Sequence, residues 1–282
     1  MPNFGYHFAR LRGSVLRQFY RALLPLITRR PIAGSRSIAL SVFSYSGERA
    51  LPEQIASIRS FLRNVGRPKR FTVVSDGSYS ERSVRLLRSI DPCVEVQRSS
   101  PPPRSELPER FRRYLATHET GKQLALIMSL PADGPALYVD SDVLFFAGAI
   151  DLVARIAGNG ASAYYLADCQ FAGDERLLVD AGEQRDPVNT GVLLLFRRLD
   201  WSPAIDRFQK MAGEPSFFTN QTLAHLVMHA NAAGPLEPTK YVLRLDDQFV
   251  YADRYASPTL ALRHYVNPVR HKFWTSLRRT SR

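Results

Sequence analysis

The stretch ALYVDSDVLFF, residues 136–146, constrains this chain more than any other. Ala136 to Val139 form a strand-like apolar run that leads directly into Asp140 and Asp142, and apolar Val143 to Phe146 follow at once. A continuous apolar run suits a central strand of a parallel sheet, where helices cover both faces. Ligand sites in such sheets lie beyond the carboxyl ends of the strands, and the two carboxylates stand where this strand would emerge. In extended backbone, residues two apart point the same way, which puts these two positions roughly 6 to 7 Å apart on one side. Like charges at the edge of a low-dielectric core repel, and one tends to protonate. A divalent cation removes that conflict. Oxygen ligands suit Mg2+ or Mn2+, often shared with substrate phosphates. The plainer alternative makes one aspartate a cap and the other a turn residue; the apolar flanks favour a site.

Around this stretch, strand and helix patterns alternate. Strands are expected at 37–44 and 70–75, with helices at 51–64 and 81–90 between and after them. The run SSPPPRSELP reads as a surface loop, and one long helix is expected over 109–129. After the pair come helices at 148–157, 203–212 and 218–230, and strands near 162–167, 188–196, 240–245 and 260–266. Such alternation implies βαβ units and an α/β fold with a mostly parallel central sheet flanked by helices.

The first 35 residues differ. Phe8, Leu11, Val15, Phe19, Leu23 and Ile27 recur at helical spacing, with Arg10, Arg12, Arg17, Arg21, Arg29 and Arg30 beside them. Two readings stand: a helix lying on an anionic membrane surface, or one docked on the domain with its arginines solvated. Pro31 and AGSRS read as a linker, so residues 1–35 form a basic helical extension and 36–282 one catalytic-sized domain.

The formal charge of +12 asks for an anionic partner. The arginines scatter over helices and termini rather than lining one sheet or groove with aromatics, and no recognition motif appears, so nucleic acid is not the expected one. No 18-residue run is both free of charge and continuously apolar, so a spanning helix is not expected, and no apolar segment with a cleavage site marks a secretory signal. Cys93 and Cys169 are far apart and in no metal-like spacing. A cytoplasmic protein, at most peripheral at a membrane, is the expectation.

YVDSDVLFF resembles the DxD segment of nucleotide-sugar glycosyltransferases of the GT-A fold, and the later motifs resemble family 8-like members in the same order. The likeness runs over residues 37–274. It implies that a metal, Mn2+ or Mg2+, bridges Asp140 and Asp142 to the diphosphate of a sugar nucleotide, with Ser141 among the donor-binding residues. NTGVLLL, 189–195, resembles the strand after the DxD, where Asn189 and Gly191 would border donor sugar and acceptor. In FTNQTLAHLV, Asn220 replaces an acidic residue and Gln221 keeps the amide near the reacting carbon. The run RHYVNPVRHKFW resembles the closing His-Gly-Lys-Pro-Trp segment, with Asn267 for the glycine, Phe273 for the proline and two extra residues between His and Lys. That spacing leaves His264 or His271 as third metal ligand. His264 is favoured because it ends a plausible strand. Lys272 would grip the diphosphate.

The resemblance implies transfer with retention, from a donor taken to be UDP-linked, to an acceptor that is a glycan, lipid-linked or protein. Lys122 and Asp76 are further candidates for the nucleotide; Asp76 alternatively shapes its turn. An inverting reaction would need a base, and Asp247, Asp246 and Asp168 are the carboxylates available for it. Two rival readings remain. One is a phosphohydrolase of the haloacid dehalogenase type, with the first aspartate as nucleophile and the later LDD as its acidic metal motif. The other is an inactive relative that only binds a sugar nucleotide.

Overall fold

Successive side chains of the strand at 136–139 enter two different cores, and that division organises the molecule. The computed structural model describes residues 3–32, 36–131, 133–158 and 161–281. The chain runs α1 (Phe4–Ala22), α2 (Leu24–Ile27), β1 (Ser41–Ser46), α3 (Leu51–Asn64), β2 (Arg70–Ser75), α4 (Glu81–Arg88) and β3 (Val94–Gln97). Next come α5 (Glu109–Thr117), α6 (Glu119–Met128), β4 (Ala136–Val139), β5 (Val143–Phe145), α7 (Ile150–Ala157), β6 (Ala163–Ala167) and β7 (Val188–Leu195). The last part holds α8 (Ser202–Lys210), α9 (Thr219–Ala230), β8 (Gly234–Pro235), β9 (Tyr241–Val242), β10 (Leu262–His264) and α10 (Lys272–Ser276).

Among the described residues the main sheet has seven strands in the order β3-β2-β1-β4-β7-β6-β8. It is mostly parallel; only β7 runs against its neighbours β4 and β6. Leu137 and Val139 pack with Ile55, Ile58 and Phe61 of α3 on one face, and Ala136 and Tyr138 with Phe111, Leu124, Phe208 and Leu223 of α5, α6, α8 and α9 on the other. Burial on both faces is why β4 has no polar position before Asp140. A smaller sheet, β5-β10-β9, lies beside it, with β10 antiparallel to β5. Residues 140–142 are the whole link from β4 to β5. They are not extended: Ser141 and Asp142 form a turn, so turn geometry rather than strand alternation sets where the carboxylates point.

The helix expected over 109–129 is two helices. His118 has extended backbone (φ −76°, ψ 140°), and its Nδ1 lies 3.0 Å from Thr120 Oγ1. The basic tail contains α10, which no apolar periodicity announced. Ala33, Gly34 and Ser35, in the expected linker, lie outside the described residues.

Helix α1 docks, but not by the stripe that the sequence suggests. Ala9, Gly13, Leu16 and Tyr20 face the domain, with Tyr20 5.1 Å from Trp274 of α10 between ring centroids. The approach needs glycine, because a Cβ at Gly13 would stand 2.5 Å from the His271 carbonyl oxygen. Phe8, Leu11, Val15 and Phe19 face solvent instead. No described helix is long and apolar enough to cross a membrane, and both cysteines are free thiols.

Candidate active site

Three groups of the kind that can hold a metal ion, Asp140, Asp142 and His264, converge at the seam between the two sheets. The Asp140 N–H donates to the Gly191 carbonyl at 2.8 Å, which fixes the end of β4 against β7. The Asp142 carbonyl accepts from Tyr265 N–H at 2.9 Å, which ties the turn to the residue after β10. Carboxylate oxygens of Asp140 and Asp142 and a ring nitrogen of His264 lie within 4.8 Å of one another. His264 Nε2 is 3.0 Å from Asp142 Oδ1 and 3.6 Å from Asp140 Oδ2. Of the two histidines, His264 joins the pair; His271 Nδ1 lies 3.1 Å from the Pro268 carbonyl oxygen, on the side where α1 docks.

The surroundings determine which nitrogen of His264 is free. Asn189 Nδ2 donates to Asp168 Oδ2 at 2.9 Å, and Asn189 Oδ1 accepts from Gly191 N–H at 2.9 Å. The same Oδ1 lies 3.0 Å from His264 Nδ1, so Nδ1 must carry the proton and donate. Nε2 is thereby turned toward the aspartates, the arrangement in which a second group orients a ligating imidazole. A Cβ on Gly191 would lie 2.1 Å from His264 Cε1, so the ring approaches this strand only because residue 191 has no side chain. On the other flank Asp140 Oδ1 accepts from Tyr138 Oη (2.8 Å) and Gln123 Nε2 (3.2 Å), and Gln123 Oε1 accepts from Asn220 (3.0 Å).

The two carboxyls are pushed apart. Burial raises Asp140 to about 6, opposed by His264 and reinforced by the charge of Asp142. Burial acts on Asp142 too, but His264 and the Arg270 guanidinium, 2.5 Å from its Oδ2, outweigh it and hold Asp142 down to about 2. Burial works against protonated His264, yet Asp142 beside it raises its pKa. The set fits a hard divalent ion: two carboxylate oxygens, one imidazole with its far nitrogen pinned, and an Asp140 that lacks counter-charge.

These groups line a cleft of about 940 Å³, together with Asp76, Ser141, Asp168, Asn189, Asn220 and Gln221. Gln221 donates from Nε2 to the Ala172 carbonyl at 2.8 Å, which orients its amide. Asp76 stands exposed at the wall and also shapes its turn, accepting from Ser78 N–H at 2.8 Å. Gly191 lies behind His264 rather than on the wall, and Gln123, not its neighbour Lys122, reaches the cleft.

Three more expected residues lie elsewhere. Lys272 and Asp247 are fully buried and paired to each other at 2.9 Å, and Asp247 is further engaged by Arg263 at 2.8 and 3.0 Å. Neither side chain opens onto the cleft. Asp246 accepts from Tyr255 Oη at 2.6 Å, outside the cleft. The cation that sequence reasoning missed is Arg270. It stands six residues after His264, the position that Lys272 would occupy without the two extra residues.

The sequence matches no family model and no curated protein. Solved structures do match. The chain aligns with the galactosyltransferase LgtC, in complex with donor and acceptor sugar analogues, at a TM-score of 0.54 and 15% identity, over 84% of this chain and 94% of that one. This chain has the GT-A fold. Mouse xyloside xylosyltransferase 1 aligns at 0.51 and 13% identity, over 83% of this chain and 99% of its own. The glycosyltransferase GlyE of Streptococcus pneumoniae aligns at 0.52 and 14%, over 86% of this chain and 60% of its own. In this GT-A chain the carboxylate pair follows the fourth strand in chain order, not the first, which counts against the dehalogenase-type reading. So does the burial of Asp247 in ion pairs, which removes the acidic motif that reading needs.

Proposed function

We propose that this protein is a metal-dependent glycosyltransferase that moves a sugar from a nucleotide-diphosphate sugar to an acceptor in the same cleft. The observation that carries this reading is the convergence of Asp140, Asp142 and His264 at the floor of the cleft in a GT-A fold. The LgtC structure holds donor and acceptor sugar analogues, which supports placing both substrates here.

Asp140, Asp142 and His264 Nε2 would hold Mn2+ or Mg2+. When bound, the ion supplies Lewis-acid neutralisation of the charge that develops on the departing diphosphate. Asn189 keeps the Nδ1 proton in place and so keeps Nε2 available. Arg270 offers a forked guanidinium suited to phosphate oxygens. Gln221, its amide nitrogen committed to Ala172, has its carbonyl oxygen left for the donor sugar. Asp76 at the cleft wall suits a ribose or base donor group. Retention is the reading we adopt: an inverting reaction needs a base for the acceptor proton, and the candidates named from the sequence are engaged elsewhere. Asp247 is sealed in ion pairs, and Asp168 accepts from both Asn189 and Gln221.

The test is thermal melting with a panel of nucleoside diphosphates, UDP first, with and without Mn2+. A ligand at a hundredfold its dissociation constant adds about 2.7 kcal/mol. Stabilisation that needs metal and disappears in Asp142→Asn is expected, followed by sugar release from the matching donor. Folded protein that binds no nucleotide would refute the reading. Binding without sugar release to any acceptor or to water would instead identify an inactive relative.

A further inference from the structure

The chemistry of the cleft leaves the outer face of α1 unused. Phe4, Phe8, Leu11, Val15 and Phe19 form one stripe at helical spacing and are 59% to 77% exposed. The helix cannot roll to bury them. Gly13 is seated on the His271 carbonyl, and Arg17 is clamped by Glu53 at 2.5 and 3.0 Å and by the Arg49 carbonyl at 2.5 Å. Tyr251 widens the stripe, its ring stacked 6.0 Å from Phe8, and Phe249 adds a second exposed ring, 5.3 Å from Tyr6. A continuous exposed apolar strip of this kind marks a contact surface.

The charge around the stripe selects the occupant. Arg12 borders it on one side, donating to Tyr251 Oη at 2.7 Å, and with Arg279 lines a small hollow beside that ring. Arg10, its guanidinium 5.5 Å over the Tyr6 ring, and Arg21 stand exposed on the same helix, and Arg29 and Arg30 follow α2. No acidic residue precedes Glu48 in the chain. Two copies of so basic a face would repel each other, whereas an apolar stripe edged with arginines matches the acyl boundary and phosphates of an anionic bilayer.

We propose that α1 is an interfacial helix that seats this protein on anionic phospholipid, with Phe4, Phe8, Leu11, Val15 and Phe19 in the acyl boundary and the flanking arginines at the headgroups. The same helix supplies Arg17 to the cleft wall, so the docked element and the cleft are one rigid unit. The proposal stands independently of the reaction.

Flotation of the full chain with vesicles tests it. Vesicles of phosphatidylglycerol with phosphatidylcholine should carry the protein at low salt and release it at high salt, and phosphatidylcholine alone should carry little. The triple variant Phe8→Ser, Leu11→Ser, Val15→Ser should bind about a hundredfold more weakly with an unchanged melting temperature, since all three side chains face solvent. A second variant, Arg10→Gln with Arg12→Gln and Arg21→Gln, should lose the preference for anionic vesicles while keeping the stripe; it decides the matter if the triple variant melts early. Absence of flotation, equal flotation with neutral vesicles, or a triple variant that floats like the parent would overturn the proposal. So would a concentration-dependent dimer that the triple variant dissolves, which would assign the stripe to a second copy.

Discussion

Replacing Gly191 by alanine asks whether His264 is held for a ligand or merely packed. The added Cβ would lie 2.1 Å from His264 Cε1, 2.5 Å from its Nδ1 and 2.8 Å from Asn189 Oδ1. Carbon atoms rest at about 3.5 Å, so the imidazole must move by roughly 1.4 Å. It has nowhere neutral to go. One direction breaks the 3.0 Å contact with Asn189, and the other pushes Nε2 into the aspartates. Overpacking of this kind costs about 1–3 kcal/mol, a fall of several degrees in melting temperature. The effect on the metal should be larger in kind: loss of the group that orients a ligating histidine weakens affinity by about 10–100-fold. Calorimetric titration with Mn2+, beside melting of the metal-free protein, separates the two. A variant that melts lower yet binds Mn2+ as tightly as the parent would show that His264 is not a ligand. A variant unchanged in both would show that the close approach itself is wrong.

Two further predictions follow from the charges. Asp140 is raised to about 6, so the native state holds its proton longer than the unfolded chain does. Metal-free stability should therefore fall as pH rises from about 4 through 6. Asp140→Asn should melt higher than the parent above pH 6 without metal, gain nothing near pH 4, and lose the Mn2+-induced stabilisation. Lower melting at pH 7.5 without metal would contradict the assignment. Arg270→Gln should weaken binding of a nucleoside diphosphate about tenfold or more with little change in melting. Lys272→Met should instead cost about 3–5 kcal/mol of stability, because it leaves the Asp247 charge under-compensated in the interior, and leave nucleotide affinity of the folded protein intact. Titration calorimetry and denaturant melts give both quantities, and the opposite pattern would return the diphosphate to Lys272.

Local periodicity was enough for the elements whose partners are near in sequence. Helix 51–64 and strand 70–75 were legible to the residue, since their apolar spacing reports burial within consecutive βα units. The break at His118 was not, because 109–129 has continuous helical periodicity and only the packing of α5 beside α6 bends it. The carboxylate pair was legible for the same reason as β4: charge at the end of a strand buried on both faces has few structural uses. Its convergence by a turn was not legible, and neither was the shield of Tyr138, Gln123 and Asn220. For α1 the pattern gave a strong apolar stripe but not which side docks. The only sequence signal for docking was the small pair Ala9 and Gly13, spaced one turn apart opposite the stripe. Asp247 and Lys272 show the general limit, since a charged residue carries no mark in the sequence of whether it will be paired in the interior.

Those interior charges and the cleft meet in two consecutive residues of β10. Strand alternation sends Arg263 to one side, where it binds Asp247 and Asp253 with no exposure to water, and His264 to the other, where it faces Asp140 and Asp142. Lys272 joins Asp247 from α10, and Tyr265 and Ser276 donate to Asp253 at 2.8 and 2.6 Å. Apart from Arg263 Nε, which is buried without a partner, that network is paired within itself, and it lies away from the cleft. What it does is hold β10, and thus His264, against the end of β4, beside the three-residue link 140–142 that runs from β4 into β5. The cleft side is built the other way. Its carboxylates face His264 and one half-exposed arginine, and Asp140 still lacks enough positive charge to stay ionised easily. Charge left uncompensated beside a cleft, on a frame whose other charges are satisfied, is the condition under which a divalent ion binds rather than competes.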